Sequence, residues 1–432
     1  SLIDTSVVGM HCATSSLAAL APSTKLCDYL SYMCTALGAA TTNIAAERLA
    51  QREPEAAKRV VGGSMAIALV VGLGLAVGCR ALAQPVLRAM MVDVPVLAAA
   101  TEYTVIRALG FPAALLTMVL QAAFLATKDA FSPLIAVPLA AVTNLVLDLF
   151  LVGTLGLGTA GAAWGTTASL YVNGVTLLLM WRAKAATLGE RTPLFATPTR
   201  AEMRRLLVFV VPMVFALCSR VGMGLSITLA ATALGTVALA ANQVVESVYW
   251  LFCPFGEALS LAMQAYMPAV LEARRSAGAQ LRARCAGMSG AIALGVGVVA
   301  AAATVVRPGL FTTCPAVVTN MARTAPLLGA AIASFTMMAP LEGMMIARKQ
   351  LRRLALTHGV ISLGLIGALR QVTRTAGCGL QHVWALIALV NGVRWLLFRR
   401  AVRRSEVAEA AQEAAGLAPL VPNIAETHPH ML

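Results

Sequence analysis

The chain has 432 residues, 59% of them apolar and 12% charged, with a net charge of +14. A water-soluble domain uses roughly 25% charged residues to wet its surface, so this composition excludes a soluble globule, and apolar runs long enough to cross about 30 Å of hydrocarbon recur throughout. Ten-residue alternating segments, the mark of a membrane β-barrel, are missing, which leaves an all-α polytopic membrane protein.

Residues 1–12 read as the tail of a first span whose beginning is truncated. Further spans are predicted at 20–46, 59–79, 95–127, 131–152 and 161–181. The polar stretch 182–203 is the midpoint, and spans at 205–230, 236–268, 283–306, 320–347, 356–370 and 381–398 bring the total to twelve. The expected organisation is an amino-terminal six-helix lobe over 1–182 and a cytoplasmic linker over 183–203. A carboxy-terminal six-helix lobe over 204–404 and a flexible polar tail over 405–432 follow.

Lys and Arg gather in alternate connections, at Arg48 to Arg59, Lys128, Arg182 to Arg205, Arg274 to Arg284, Arg348 to Arg353 and Arg399 to Arg404. The intervening connections are poor in them, and 153–160 and 230–236 carry none. Short loops rich in Lys and Arg stay on the cytoplasmic side, so both ends of the chain face that side. The positive charge is topological, and no nucleic-acid partner is expected.

The nine cysteines and five histidines show no metal-ligand spacing. No Walker-type Gly-x-x-x-x-Gly-Lys-Ser/Thr stretch is present to bind ATP. An intramembrane enzyme would need clustered His, Ser or paired carboxylates at one depth. Neither catalysis, a metal nor a cofactor is expected.

The halves resemble each other. Ser16-Leu-Ala-Ala-Leu-Ala matches Thr236-Val-Ala-Leu-Ala-Ala at an offset of 220, and Leu120 to Asp129 matches Leu341 to Gln350 at 221. Parallel repeats of this kind are related by an axis along the membrane normal and leave a cavity between them, an architecture suited to alternating access.

A charge at mid-bilayer costs at least about 2.5 kcal/mol on insertion scales, so each intramembrane charge calls for a partner or a function. Asp4 lies in the first span. Asn144 and Asp148 lie one turn apart on one face of the fifth, where the amide can orient the carboxylate or hold its proton. They are candidates for carrying a proton or sodium, with simple bracing of helix contacts as the alternative. Asn242, Gln243 and Glu246 in the eighth span are candidate substrate-lining groups. Glu257 stands near Pro254 and Gly256, where a helix break is expected. Glu342 either lines the same cavity or pairs with Arg348. Arg107 has Glu102 five residues earlier or a carboxylate across the bundle, and Arg220 either attracts an organic anion or pairs with a carboxylate of another helix.

Asp4-Thr-Ser-Val-Val-Gly9, Arg107-Ala-Leu-Gly-Phe-Pro112, Leu120 to Asp129, Asn144-Leu-Val-Leu-Asp148 and Gly158-Thr-Ala-Gly-Ala-Ala-Trp164 together resemble the multidrug and toxic compound extrusion (MATE) family, in its DinF-like branch. The resemblance extends to about residue 404, and a plant or algal member is expected. It implies a twelve-helix, two-lobed monomer that exports organic cations, drugs or organic anions in exchange for H+ or Na+. It also implies that Asp4, Asn144 and Asp148 form the amino-terminal ion-coupling site. The expected partners are a small organic solute, the coupling cation and membrane lipid. The plasma membrane and the chloroplast envelope are both open. A flippase for a lipid-linked substrate is the rival with similar architecture.

Overall fold

The computed structural model describes residues 14–89, 94–188, 193–273, 277–306 and 314–414, and these are helical apart from short connections. In chain order the helices are α1 (Thr14–Ala50), α2 (Pro54–Ala89), α3 (Val94–Ala108), α4 (Phe111–Ala126), α5 (Phe131–Asp148) and α6 (Gly158–Thr187). Then come α7 (Arg200–Ala233), α8 (Thr236–Ala273), α9 (Ala277–Val306), α10 (Pro315–Ala347), α11 (Leu351–Arg374) and α12 (Leu380–Ala414). The chain divides into two compact units, Ser1–Leu207 and Val208–Leu432. The expected first span falls outside the described residues. The fourth span is formed by α3 and α4 together, so the remaining expected spans each have a helix, and the fold is an all-α, two-lobed membrane bundle.

Among the described residues, seven helices are long and apolar enough to cross a bilayer singly, and α3 with α4 makes a further, bent pair. The three long helices outside this set, α1, α6 and α8, each bury several polar residues. Thr41, Thr42 and Asn43 are buried in α1, Thr166, Thr167 and Asn173 in α6, and Asn242, Ser260 and Gln264 in α8. Neighbouring helices screen these groups from hydrocarbon. The opposite pattern holds on α5, α9 and α11, where Val142, Val146, Leu294, Val298, Val360 and Leu363 are exposed. Such faces suit hydrocarbon.

The expected break at Pro254 is not there: α8 continues through both Pro254 and Pro268. The break lies in the fourth span instead, where α3 and α4 meet at 46°. Pro112 sits in the first turn of α4, where its missing N–H would have had no helical partner anyway. Side chains of α6 bond carbonyls at the bend, where the Ile106 carbonyl also accepts the Leu109 N–H at 3.1 Å. The Thr167 hydroxyl donates to the Ile106 carbonyl at 3.2 Å and the Tyr171 hydroxyl to that of Leu109 at 3.0 Å. Local repair of this kind is what allows a broken helix at membrane depth.

The internal repeat is visible in the turns. The Lys128 N–H bonds the Leu125 carbonyl and the Asp129 N–H that of Phe124, while Lys349 and Gln350 bond Ile346 and Met345 in the same pattern. Lys128 and Lys349 both adopt left-handed backbone, with φ of 60° and 57°. These are paired helix C-caps of the Schellman type, separated by the offset read in the sequence.

Two boundaries differ from expectation. Residues of the polar midpoint lie against α2, where a Cβ on Gly62 would come within 2.9 Å of the Leu194 carbonyl oxygen and one on Gly63 within 3.3 Å of Pro198 Cβ. The amino-terminal unit accordingly extends into the start of α7. The polar region from 405 onward is helical as far as Ala414, because its acids are bound. Arg282 Nε bonds both carboxylate oxygens of Glu406 at 2.9 Å, and Arg348 holds Glu409 through Nε at 2.8 Å and Nη2 at 3.2 Å.

Candidate functional site

In the amino-terminal unit, α5 buries one narrow stripe, Ala136, Ala140, Asn144 and Asp148. The four-residue spacing places these side chains one above another, while the rest of the helix is largely exposed. Asn144 Nδ2 donates to Asp148 Oδ2 at 3.2 Å. Asp148 is 0% exposed and Asn144 6%. Asp148 closes the regular part of α5, and a π-helical turn, Leu149–Thr154, follows it. The facing position on α6 is Gly165, where a Cβ would collide with Asp148 Oδ1. A glycine is needed there because the carboxyl group occupies the space of a side chain. Asp4 lies outside the described residues.

Chemically, an enclosed carboxyl group beside an amide has two stable conditions. It can be a neutral acid, with the amide oxygen available as acceptor, or an anion that receives the amide N–H and a small cation.

The carboxy-terminal unit holds a different arrangement. Arg220 of α7 lies 3.6 Å from Glu342 of α10 and 3.9 Å from Glu257 of α8. His358 Nε2 of α11 lies 3.3 Å from Glu342 Oε1, and its ring tilts against Phe398 of α12. Arg394 of α12, also buried, contributes a coulombic interaction with Glu342 and donates to the Met223 sulfur at 2.7 Å. Of the two alternatives for Arg220, the geometry shows pairing with carboxylates. Glu342 does not meet Arg348, which binds Glu409 instead. Six residues apart on one helix of 3.6 residues per turn, the two side chains leave on different faces.

Asn242 is buried, accepts from Trp384 Nε1 at 3.0 Å and donates to Glu246 Oε2 at 3.4 Å. Glu246 is half-buried and Gln243 exposed, so these three are not one surface. Asn242 and Glu246 are brought together, and Gln243 stands apart. Arg107 reaches across to Asp28 of α1 at 3.7 Å rather than to Glu102.

His358, Arg394 and Trp384 are the participants that sequence reasoning passed over. The signal for the first two was present. Each is a charged or titratable residue inside an apolar run, subject to the same burial cost as the carboxylates.

Comparison with known proteins bears on this geometry. A family model described as MatE matches residues 1–150. Protein DETOXIFICATION 47, chloroplastic, of Arabidopsis thaliana is 31% identical over 411 residues, covering 94% of this chain and 74% of that protein. DNA damage-inducible protein F of Escherichia coli (strain K12) is 28% identical over 206 residues, 48% of this chain and 45% of its own length. Among solved structures, a MOP superfamily transporter from Pyrococcus furiosus superposes with a TM-score of 0.84 at 19% identity, covering 95% of this chain and 92% of that one. The last likeness establishes the fold alone. On the sustained identity to the Arabidopsis protein, the chain belongs to the MATE family of multidrug and toxic compound extrusion transporters, with relatives in its DinF-like branch.

Proposed function

We propose that this MATE protein exports an organic solute by antiport with H+ or Na+ through alternating access, and that Asn144 and Asp148 carry the coupling ion. The observation that supports this reading most is the carboxyl–amide pair on the only inward stripe of α5. A group that is stable either as an acid or as an anion with a cation gives an ion differential affinity for two conformations. Coupling requires that difference, because a ligand that binds both states equally shifts neither. Asp4 is proposed to share the site on the strength of the family resemblance. On the substrate side, Glu246 and Gln243 offer accessible polar groups, with Asn242 fixing the Glu246 carboxylate. Arg220 would meet an anionic solute only by leaving Glu342 and Glu257.

The flippase alternative rested on architecture alone, and membership of a family of extrusion transporters removes its support. A chloroplast membrane is the setting we favour over the plasma membrane, since the Arabidopsis relative is named as chloroplastic.

The test is transport by full-length protein in liposomes under separate proton and sodium gradients, with Asp148→Asn beside wild type. Wild type is expected to respond to one of the gradients. Asp148→Asn should lose that response by about 5- to 150-fold, the range of typical coupling free energies. Gradient-independent transport that the substitution leaves unchanged would remove the antiport reading.

A further inference from the structure

A second concave site lies in the carboxy-terminal unit, at the basic end of α10, α11 and α12. It is a pocket of about 190 Å³ lined by Met345, Arg353, Thr357, Phe398, Arg400 and Arg404, with Leu397 and Ala401 completing its wall. Three guanidinium groups converge there with a hydroxyl, over an apolar floor. No carboxylate lines it. Among the described residues, Arg353, Arg400 and Arg404 form no ion pair. The acids on the next turns of α12, Glu406 and Glu409, are taken up by Arg282 and Arg348. Among the described residues, the positive charge in this pocket is therefore uncompensated.

The surroundings say what form the anion takes. Following α11 away from Arg353 at helical spacing leads to Leu356, Val360 and Leu363, all exposed. Following α12 away from Arg404 and Arg400 leads to Leu397, Val393 and Leu389, exposed as well. The two helices pack together, so the basic pocket opens onto an apolar face running toward the bilayer interior. A free phosphate ion would use only the first part of this surface. A molecule with an anionic head and hydrocarbon tails would use both.

We propose that this pocket binds the phosphate of an anionic phospholipid from the leaflet on the basic side, with its acyl chains along the α11–α12 face. The forked donors of arginine match phosphate oxygens, and basic pockets between membrane helices recognise such heads. The general excess of Lys and Arg on this side attracts anionic lipid diffusely, so the experiment must separate a site from a field.

Full-length protein is transferred into phosphatidylcholine micelles containing increasing phosphatidylglycerol, and bound lipid is read by native mass spectrometry. Wild type should retain phosphatidylglycerol in preference to phosphatidylcholine. The triple variant R353Q/R400Q/R404Q should lose the preference by roughly a hundredfold, about fivefold per arginine. The control R352Q/R403Q, which removes two exposed arginines of the same helices outside the pocket, should keep it. R353K/R400K/R404K keeps the charge and serves as the readout should the glutamine variant not fold, and it should retain part of the preference. Millimolar inorganic phosphate should not displace the lipid. Equal loss in the control, no preference in wild type, or displacement by inorganic phosphate would each overturn the proposal. The first would mean diffuse attraction and the last a site for soluble anions.

Discussion

The two units carry buried carboxylates in opposite company. In the amino-terminal unit, Asp148 is bonded to an amide that tolerates either protonation state. In the carboxy-terminal unit, Glu342 lies between Arg220 and His358, with the Arg394 charge close by. The repeat register makes the difference concrete. Glu342 takes the place of Gln121, while Asn144 and Asp148 take the places of Leu365 and Leu369. Two copies of one fold have thus put their acids on different helices and surrounded them differently. Glu342, set between residues of neighbouring helices, acts as a structural tie. Asp148, beside an amide, is the one proposed to exchange its counter-charge. Burial alone does not mark a coupling residue, since both groups are buried.

The strongest way to break this comparison is to neutralise each acid and measure stability as well as transport. Glu342→Gln removes a carboxylate that Arg220 meets together with Glu257 and that lies beside His358 and Arg394. Removing one partner of a buried ion pair typically costs about 3–5 kcal/mol, and because Arg220 is partly accessible the lower end is expected. A clear fall in melting temperature of the purified protein is the predicted result. Asp148→Asn exchanges one group for another of the same shape beside an amide, so its melting temperature should move little, by less than about 1 kcal/mol of stability, while transport falls. If the two substitutions destabilise equally, the contrast between tie and exchange site is wrong.

How much of this was legible beforehand follows from the kind of signal each feature leaves. Span positions and the repeat were readable, because crossing hydrocarbon demands a length of apolar sequence that little else imitates. Asn144 and Asp148 were readable because their spacing stacks them on one face. The bend at Leu109 and Gly110 was not, since its tolerance depends on hydroxyls of Thr167 and Tyr171 some sixty positions away. The same holds for Glu342, whose partners come from α7 and α11 and not from its own helix. The helical continuation to Ala414 was hidden for a related reason. A run of charges reads as solvated until its partners, here Arg282 and Arg348, are known.

A smaller effect tests whether the halves share their turns. Lys128 and Lys349 hold left-handed backbone that costs an L-residue about 1–2 kcal/mol, partly offset on substitution by the greater unfolded-state freedom of glycine. Lys128→Gly and Lys349→Gly should each stabilise the protein by up to about 1 kcal/mol in chemical or thermal denaturation, with the same sign. Opposite signs would show that the two turns are not equivalent.

The smallest expected effect separates those turns by pH. Asp129, which follows Lys128, accepts from the Phe131 and Ser132 N–H groups at 3.1 Å and from the Ser132 hydroxyl at 3.0 Å. Slight burial alone would raise its pKa, but the Ser132 bonds, Lys184 at 3.6 Å and the Phe131 N–H outweigh it and bring the value below its ordinary 3.8. A carboxyl group lowered on folding adds stability that is complete above its unfolded value and disappears as pH falls through the folded one. Its repeat counterpart is Gln350, which does not titrate and bonds Ser405 instead. Acidification below about pH 4 should therefore loosen the α4–α5 turn before the α10–α11 turn, as read by amide hydrogen exchange at the two sites. Asp129→Asn should abolish the difference, and equal acid sensitivity of both turns in the unaltered protein would show that Asp129 does not set it.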